Sequence, residues 1–415
     1  MTNKLTSAEG LVIFGEMTLQ EHSDRRSDIA VRDPEGGANQ TGLRDQNARL
    51  ILSYIRRHGE MASAEIARRS GLSAQTVSNI VRSLEADDLV LRGKSVKGGV
   101  GKPSTPVALN PSGVYALGLS IGRRSMEAVL IDFRGEVVER RRQAYSFPTP
   151  KNVRKFLRRS MTYFQETHPD AWKKVTDIGV ASPYWLWDWS DVSNAPTERM
   201  LQWKDVSVAD IVAEESKRRV VFENDATSAC VAEHMIGKGG QFSEFLYIFV
   251  GSFVGGGVVL GGKVFTGRSG NSGALGPLPV PDGQGGVTQL LNVASLNVLE
   301  GQLTAAGWPA DVLRSDPKDW SGFEPHLTTW IDKAADALAT AITAAASVID
   351  IEAAIMDGAF PQGVRQRLVE RTSARLEESD LAGLAPLVVL EASIGRSARS
   401  MGAALLPIRA NYFLA

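Results

Sequence analysis

The chain has 415 residues, of which 43% are hydrophobic and 22% are charged, and its formal net charge is −1. This length predicts two or three domains, and the near-neutral charge excludes a bias of the whole chain toward nucleic acid or membranes. A single cysteine, Cys230, excludes an internal disulfide and a zinc site built from several thiolates. Because no run of about 18 apolar residues occurs, we expect a cytoplasmic protein without a membrane partner.

The charge is unevenly distributed along the chain. Residues 44–110 contain 11 Lys and Arg against 6 Asp and Glu, which indicates a module with an anionic partner. The preceding residues 1–42 are rich in Gly, Asp, Arg, Ser and Asn and lack periodicity. They predict a disordered or weakly ordered extension.

Residues 43–110 show the pattern of a winged helix-turn-helix domain. An apolar helical face at residues 50–55 precedes a second short helix, for which Ser63 is the expected N-cap. Ser73 is the expected N-cap of a third helix, and a basic glycine-rich loop between two short strands forms the wing. The residues of the third helix expected to point inward are Val77, Ile80, Val81 and Leu84.

In this geometry the exposed first turns of the third helix enter the major groove of double-stranded DNA. Hydroxyl, amide and guanidinium side chains there can bond base edges and phosphates, and a lysine in the wing can reach a minor groove or a phosphate. The predicted DNA-binding residues are Ser73, Gln75, Thr76, Ser78, Asn79, Arg82 and Lys102. The alternative is a small helical bundle with a solvated hairpin and no role on DNA.

Residues 111–415 alternate strands, glycine turns and helices, which predicts an α/β domain. An apolar strand ends in Glu223, Asn224 and Asp225, and a small-residue helix follows, in which Cys230 is expected to be a buried, inert thiol. A second apolar strand, residues 245–250, then runs into a tight glycine turn. Polar side chains at a strand end that face a glycine turn are typical of a small-molecule crevice.

Three motifs resemble the ROK family of sugar kinases and sugar-responsive repressors. Residues 223–226 read Glu-Asn-Asp-Ala, residues 251–257 read Gly-Ser-Phe-Val-Gly-Gly-Gly, and residues 270–276 read Gly-Asn-Ser-Gly-Ala-Leu-Gly. The resemblance covers about residues 45–410. It implies a two-lobed α/β domain of the actin-like, ribonuclease H-like ATPase fold, with one lobe of residues 111–225 plus the C-terminal helix and another of residues 226–395.

The chain departs from the family at both phosphate-binding turns. Where ROK kinases read Asp-x-Gly-Gly-Thr, residues 120–125 read Ser-Ile-Gly-Arg-Arg-Ser, and Phe253 stands where the second turn has glycine. A phosphate cradle depends on small residues and free backbone N–H groups, although the arginines could themselves bind phosphate. We therefore expect no kinase activity, no catalytic residues and no ATP cofactor.

The resemblance places Asp225 at the family's catalytic base. In a protein that is not a kinase, Asn224 and Asp225 would remain as contacts to sugar hydroxyls, because an amide and a carboxylate offer both donors and acceptors. A role for Asp225 as a helix N-cap is the alternative, and the two roles can coexist. Trp185, in an aromatic run at residues 183–189, is a further candidate that could stack on a ligand or instead belong to an interface.

Other family contacts are missing. Residues 273–277 read Gly-Ala-Leu-Gly-Pro in place of Gly-Glu-x-Gly-His, and residues 282–291 contain none of the cysteines of the family's zinc motif. Since thiolates supply most of the affinity of such a site, we expect no zinc and no other metal. Either the ligand is less polar than in the family, or the pocket binds none.

These features predict a DNA-binding transcriptional regulator, a repressor of carbohydrate-metabolism genes that senses a sugar-like effector without phosphorylating it. We expect a homodimer or tetramer, because a two-fold symmetric protein matches a palindromic operator. The alternatives are an effector-independent DNA-binding dimer and a sugar kinase with a fused DNA-binding domain.

Overall fold

The structure, a computed structural model, describes residues 40–94, 105–184, 186, 197–313 and 318–414. The predicted extension 1–42 lies almost entirely outside these residues, and the first described helix already begins at Gln40. None of the described helices combines the length and the apolar character needed to span a bilayer.

The first part of the described chain folds as a winged helix-turn-helix. The predicted inward face of its third helix, Val77, Ile80, Val81 and Leu84, is buried throughout. Three short antiparallel strands pair in the order β1-β3-β2 and complete the module. Its elements are α1 (Gln40–His58), β1 (Met61–Ala62), α2 (Ser63–Ser70), α3 (Ala74–Ala86), β2 (Val90–Arg92) and β3 (Pro106–Leu109).

The two predicted helix caps have different outcomes. Ser73 caps α3, and its hydroxyl accepts the backbone N–H of Thr76 at 3.1 Å, which confirms that prediction. The prediction for Ser63 was wrong, because Ser63 is already the first residue of α2 and the N-cap is Ala62, without a side-chain hydrogen bond. Ala62 pairs with Pro106 in the small sheet, so the extended backbone of β1 leads directly into the helix.

A five-stranded mixed sheet forms the first lobe of the α/β domain. The strands lie in the order β6-β5-β4-β7-β8; the first three pair antiparallel, and β7 and β8 extend the sheet in parallel. Because β4, β7 and β8 are parallel, their carboxyl ends meet at one edge. The elements are β4 (Tyr115–Ile121), β5 (Ser125–Asp132), β6 (Val137–Ala144), α4 (Pro150–Thr167), α5 (Pro169–Lys173), β7 (Val175–Ala181), α6 (Thr197–Met200), α7 (Val208–Ser216) and β8 (Arg219–Glu223).

The second lobe repeats this topology, with strands in the order β11-β10-β9-β14-β15 and β14 and β15 parallel to β9. The predicted two-lobed α/β fold is therefore confirmed. The lobe contains α8 (Asp225–Ile236), β9 (Phe245–Val250), β10 (Val254–Leu260), β11 (Lys263–Phe265), β12 (Pro279–Pro281), β13 (Val287–Gln289), α9 (Leu291–Ala294), α10 (Leu296–Ala305), α11 (His326–Ile349), β14 (Ala353–Gly358), α12 (Gln362–Glu377) and β15 (Val388–Glu391).

Only the first part of the predicted glycine turn at residues 251–257 is a turn. Residues 251–253 reverse the chain, but Gly255, Gly256 and Gly257 lie within strand β10. A Cβ at Gly257 would lie 2.5 Å from the Cβ of Cys230 in α8. Gly257 is therefore required because the strand and the helix approach each other closely, rather than because the chain turns, and a Cβ at Gly256 would lie 2.2 Å from the carbonyl oxygen of Tyr247.

Two helices, α8 and α13 (Ala398–Tyr412), pack against each other between the two sheets. Helix α13 lies on the first sheet and α8 on the second. A Cβ on Gly402 of α13 would lie 1.6 Å from the carbonyl oxygen of Ser228 in α8, so the two backbones are in direct contact. Cys230 is fully buried, as predicted, and burial raises the pKa of its thiol above the usual range.

Gly402→Ala should lower the free energy of unfolding by about 1–3 kcal/mol or more, because a methyl group at this position forces the two helices apart. Gly301→Ala is the matched control, since a Cβ at this helical glycine meets no atom within 4 Å. Alanine there should be neutral or stabilising by up to about 1 kcal/mol. Urea unfolding measures both variants, and equal stability of the two would contradict the close packing.

Candidate DNA-binding and effector sites

Helix α3 exposes an amide-rich face. Gln75, Asn79 and Arg82 are exposed and lie on one side of the helix, because they are spaced by four and three residues. The Nε2 of Gln75 donates to the Oδ1 of Asn79 at 3.1 Å, so the two amides are aligned with each other. Such a row of amides and a guanidinium has the donors and acceptors needed to read base edges in a major groove.

The other predicted contacts differ in how they are placed. Ser73 and Thr76 lie at the start of α3 with their hydroxyl oxygens 2.8 Å apart, beside the partly positive helix end. Since the Ser73 hydroxyl also caps the helix, it has a structural role whatever it contacts on DNA. Ser78 is half-buried beside the exposed face. Lys102 lies outside the described residues, so its contact remains a prediction.

The end of strand β8 places Asn224 and Asp225 at the edge of the first sheet. The Oδ1 of Asn224 accepts the backbone N–H of Ala226 at 3.0 Å, so Asn224 is the N-cap of α8. The alternative role of Asp225 as the cap was therefore wrong, because Asp225 is the first residue of the helix. Its Oδ2 lies 3.4 Å from the Nη1 of Arg399, and its carboxylate remains partly exposed.

A crevice between the two lobes adjoins Asp225. It is partly open to solvent, and about 80 Å³ of it is accessible to the centres of water-sized molecules. The Arg123 guanidinium lies 4.4 Å from the centroid of the Phe253 ring across this crevice. The two residues that stand where the resemblance places small residues of the kinase turns therefore contact each other. Five arginines line the crevice: Arg123, Arg124, Arg142, Arg396 and Arg399.

Tyr184 links the strand end to the glycine-rich segment that follows β11. Its hydroxyl lies 2.8 Å from the Oε1 of Glu223 and 3.1 Å from the carbonyl oxygen of Gly270. Sequence reasoning did not single out Tyr184, although the aromatic run 183–189 and the Glu-Asn-Asp-Ala motif point to this region. Trp185, the predicted ligand contact in this run, lies outside the described residues, and its stacking role remains a prediction.

Contacts that sequence reasoning also missed join the α/β domain to the winged helix. Arg56 of α1 donates to the carbonyl oxygen of Met235 near the end of α8, and its guanidinium lies 5.3 Å from the centroid of the Phe413 ring. The backbone N–H of Leu414 donates to the Oγ of Ser53 in α1 at 3.0 Å. Helices α8 and α13 thus begin beside the crevice and end against α1. In the sequence Arg56 is one of many basic residues, so no local signal distinguishes it.

His234 is buried near the end of α8. Burial, together with the nearby Arg56, Arg409 and Arg57, lowers its pKa to about 4. Because the folded state disfavours the charged ring, stability falls as the pH decreases from about 6.5 toward 4.

Protonation of His234 in the unfolded state should lower the free energy of unfolding of the wild type by about 2 kcal/mol between pH 8 and pH 5. This figure follows from the ordinary histidine pKa of about 6.5 and the lowered pKa of about 4. The His234→Leu variant should lack this component. Urea unfolding across the pH range compares the two proteins, and identical pH profiles would contradict the assignment.

Both parts of the chain match known families. Residues 116–289 match the ROK family, and residues 41–99 match the MarR family. The Xylose repressor of Bacillus spizizenii is 21% identical over 243 residues, which cover 59% of this chain and 62% of that protein. The match thus spans less than two thirds of this relative.

Solved structures share the fold. The crystal structure of a ROK family transcriptional regulator, a homolog of the E. coli MLC protein, superposes with a TM-score of 0.64 at 20% identity and covers 89% of this chain and 97% of that chain. A ROK family glucokinase from Streptomyces griseus in complex with glucose and AMPPNP gives a TM-score of 0.53 at 22% identity, over 70% of this chain and 98% of that chain. At these identities the likeness establishes the fold alone.

Proposed function

We propose that this chain, which carries a ROK family domain behind a MarR-type winged helix, is a DNA-binding transcriptional regulator. The observation that carries this proposal is the exposed, aligned amide face of α3 on a module that is joined to a sugar-kinase-like domain. A relative named Xylose repressor supports a role as a repressor of carbohydrate-metabolism genes. A homodimer or tetramer in the cytoplasm would match a two-fold symmetric operator.

The α/β domain in this proposal binds a sugar-like effector without phosphorylating it. The Asp225 carboxylate and the Asn224 amide supply hydrogen-bonding groups beside the crevice. Phosphoryl transfer depends on positioning of the phosphate chain by small residues and free N–H groups. Arg123 and Phe253 stand in the two turns that would supply them and contact each other, so we propose no catalytic residue and no ATP cofactor. We also propose no zinc, because residues 282–291 lack the thiolates of the family's zinc motif.

The same arrangement offers a route from effector to DNA. Helices α8 and α13 lie on different lobes, and Arg56 of α1 contacts both Met235 of α8 and Phe413, which directly follows α13. An effector that changes the closure of the two lobes would therefore move α1. Because α3 belongs to the same module as α1, the distance between α3 and the recognition helix of a second subunit would change as well. The change that the effector can cause in DNA affinity is limited by the difference between its own affinities for the two arrangements of the lobes.

Selection of binding sites from a random double-stranded oligonucleotide pool tests the proposal. The full chain should enrich a two-fold symmetric sequence whose half-sites lie about 10 base pairs, or a multiple of that, apart. Failure to enrich any sequence at low salt would overturn it. An assay of ADP release with ATP and a sugar panel addresses the kinase alternative, and we expect no turnover above the rate without sugar.

A further inference from the structure

Residues 134–167 form a strongly basic stretch of the first lobe. They contain nine Lys and Arg against three Asp and Glu, in a chain whose formal net charge is −1. Residues 44–110, which include the winged helix, are about twice as long and contain 11 Lys and Arg against 6 Asp and Glu. Positive charge is therefore more concentrated in this part of the α/β domain than in the module proposed to bind DNA.

One flank of helix α4 in this stretch is neutralised by helix α7. The Nη1 of Arg154 lies 3.0 Å from the Oε1 of Glu215, and its Nη2 lies 2.7 Å from the Oε2 of Glu214. Arg158 forms a second ion pair with Glu215. These two arginines therefore contribute little net charge to the surface.

Three other cations of α4 have no such partner. Lys151, Lys155 and Arg159 are exposed and follow one another at intervals of four residues, so they lie along one face of the helix over about 12 Å. None of the three forms a hydrogen bond or an ion pair with any residue that the structure describes. We call these three residues the basic stripe.

The basic stripe is unfavourable for the helix that carries it. Like charges four residues apart repel each other. Lys151 lies in the first turn, where the partly positive helix end disfavours a cation, and that turn contains no acidic residue. Within the described part of the chain no contact of these side chains offsets the repulsion. An external polyanion would offset it.

The composition of this face favours a polyanion over a protein surface as the partner. Protein interfaces are built around an apolar centre with a polar rim. The exposed large hydrophobic residues of the described chain include none from α4, because its apolar side chains pack inward. Evenly spaced cations without an apolar centre instead match a phosphate backbone, which needs no pocket.

The lobe that carries the stripe is joined directly to the winged helix. The Nε and Nη2 of Arg134 donate to the carbonyl oxygen of Leu109 in β3 at 3.0 and 2.8 Å. The Nζ of Lys174 lies 3.0 Å from the Oδ2 of Asp88, which follows α3. These contacts hold the first lobe against the module that carries the recognition helix.

We propose that the basic stripe binds the phosphate backbone of the double-stranded DNA that flanks the sequence read by α3. The inference rests on the proposed function, because it requires α3 to dock on DNA. Lysine and arginine bind phosphates without regard to base sequence, so the stripe contributes affinity and lengthens the bound DNA without adding specificity.

Binding of the full chain to two duplexes separates this surface from the recognition helix. Both duplexes contain the selected sequence, and the longer one extends it by about one helical turn, roughly 10 base pairs, of random sequence on each side. Wild type should bind the longer duplex more tightly. Its log Kd should also rise more steeply with the logarithm of the sodium chloride concentration, by about 0.9 for each additional phosphate contact. Fluorescence anisotropy over a salt series measures both quantities.

The combined variant Lys151→Gln, Lys155→Gln and Arg159→Gln should lose the preference for the longer duplex. Its salt dependence on that duplex should fall by about 2–3 per chain, while its binding of the shorter duplex stays as in wild type. Its thermal unfolding midpoint should equal or exceed that of wild type, because the substitutions remove charges that repel each other. This second readout separates a role on DNA from a role in the fold.

The matched control replaces three cations of the second lobe, Lys263, Lys318 and Lys333, with glutamine. They are exposed and, like the basic stripe, form no hydrogen bond or ion pair with a described residue, so the change in net charge is the same. This variant should keep the preference for the longer duplex and its steeper salt dependence. An equal loss in both combined variants would overturn the proposal.

The two duplexes also distinguish failure of this inference from failure of the proposed function. Wild type that binds both duplexes with equal affinity and equal salt dependence would overturn the role of the basic stripe and leave α3 as the DNA-binding element. A stripe variant that keeps the full preference for the longer duplex would overturn it as well. Absence of binding to the shorter duplex would overturn the proposed DNA-binding function, and this inference with it.

Discussion

Alanine at Gln75 should weaken binding to the selected DNA site by about 10–100-fold, because an amide that reads a base edge in the major groove contributes about 1–3 kcal/mol of discrimination. Asn79→Ala should have a similar effect, since the two amides are aligned with each other. Both variants should bind random DNA as wild type does, because non-specific affinity comes from phosphate contacts. Fluorescence anisotropy on the selected and on a scrambled duplex measures the two affinities.

Gln366→Ala is the matched control for these variants. Gln366 is an exposed glutamine on α12, where its Nε2 donates to Glu370 at 2.8 Å, and it lies in the α/β domain. Its removal should leave both affinities unchanged. If Gln75→Ala bound the selected site as tightly as Gln366→Ala does, α3 would not be the recognition helix, and the assignment of the DNA-binding face would be wrong.

Arg56→Ala should weaken the connection between the winged helix and the crevice, while the hydrogen bond from Leu414 to Ser53 remains. It removes a guanidinium whose pKa burial lowers to about 10, and it leaves the Met235 carbonyl oxygen and the Phe413 ring without this contact. Loss of a buried hydrogen bond to a charged group costs about 1.5–3 kcal/mol. We expect the winged helix to exchange its amide hydrogens faster than the α/β domain, and any ligand-induced change in DNA affinity to shrink to less than about 2-fold.

Arg57→Ala provides the control for this variant, because Arg57 is adjacent and exposed. It should retain uniform hydrogen exchange and the full response of DNA affinity to the ligand. DNA affinity in the absence of ligand should be preserved in both variants, since α3 itself is unchanged. A wild-type response in Arg56→Ala would show that the effect of the ligand reaches DNA by another route.

The winged helix was predictable from the sequence because its determinants are local. The spacing of Val77, Ile80, Val81 and Leu84 defines one helical face. Ser73 lies directly before that helix, and its hydroxyl accepts the N–H of Thr76, three residues further along the chain. The single error, at Ser63, arose because pairing of β1 with β3 fixes the start of α2, and such pairing involves residues more than forty positions apart.

The position of Asn224 and Asp225 at the edge of the first sheet was predictable as well, because carboxyl ends of parallel strands meet at one edge of a sheet. The detailed roles of these residues were not predictable from the sequence. Asn224 rather than Asp225 caps α8, and the choice depends on backbone conformation at that position. The glycines of β10 have the pattern of a turn in the sequence, whereas only the approach of Cys230 in the folded chain explains why Gly257 must be glycine.

The contacts that connect the crevice to the winged helix were not predictable at all. Arg56 meets Met235 and Phe413, which lie far away in the chain, and no spacing or composition marks such a contact. The same holds for the converging arginines of the crevice. Arg123 and Arg124 were visible as departures from a glycine-rich pattern, but Arg142, Arg396 and Arg399 join them only through the packing of β6 and α13.

The central claim is that a ligand of the interlobe crevice controls the affinity of α3 for a specific DNA sequence. Fluorescence anisotropy with the selected duplex, at fixed salt and with sugars, sugar phosphates and inorganic phosphate added in turn, tests it most directly. The account predicts that one of these compounds changes the Kd for DNA by about 5–150-fold, the usual range of coupling between two sites, and that Arg56→Ala shrinks this change to less than about 2-fold. Specific DNA binding that no compound alters would contradict the claim and leave an effector-independent DNA-binding protein.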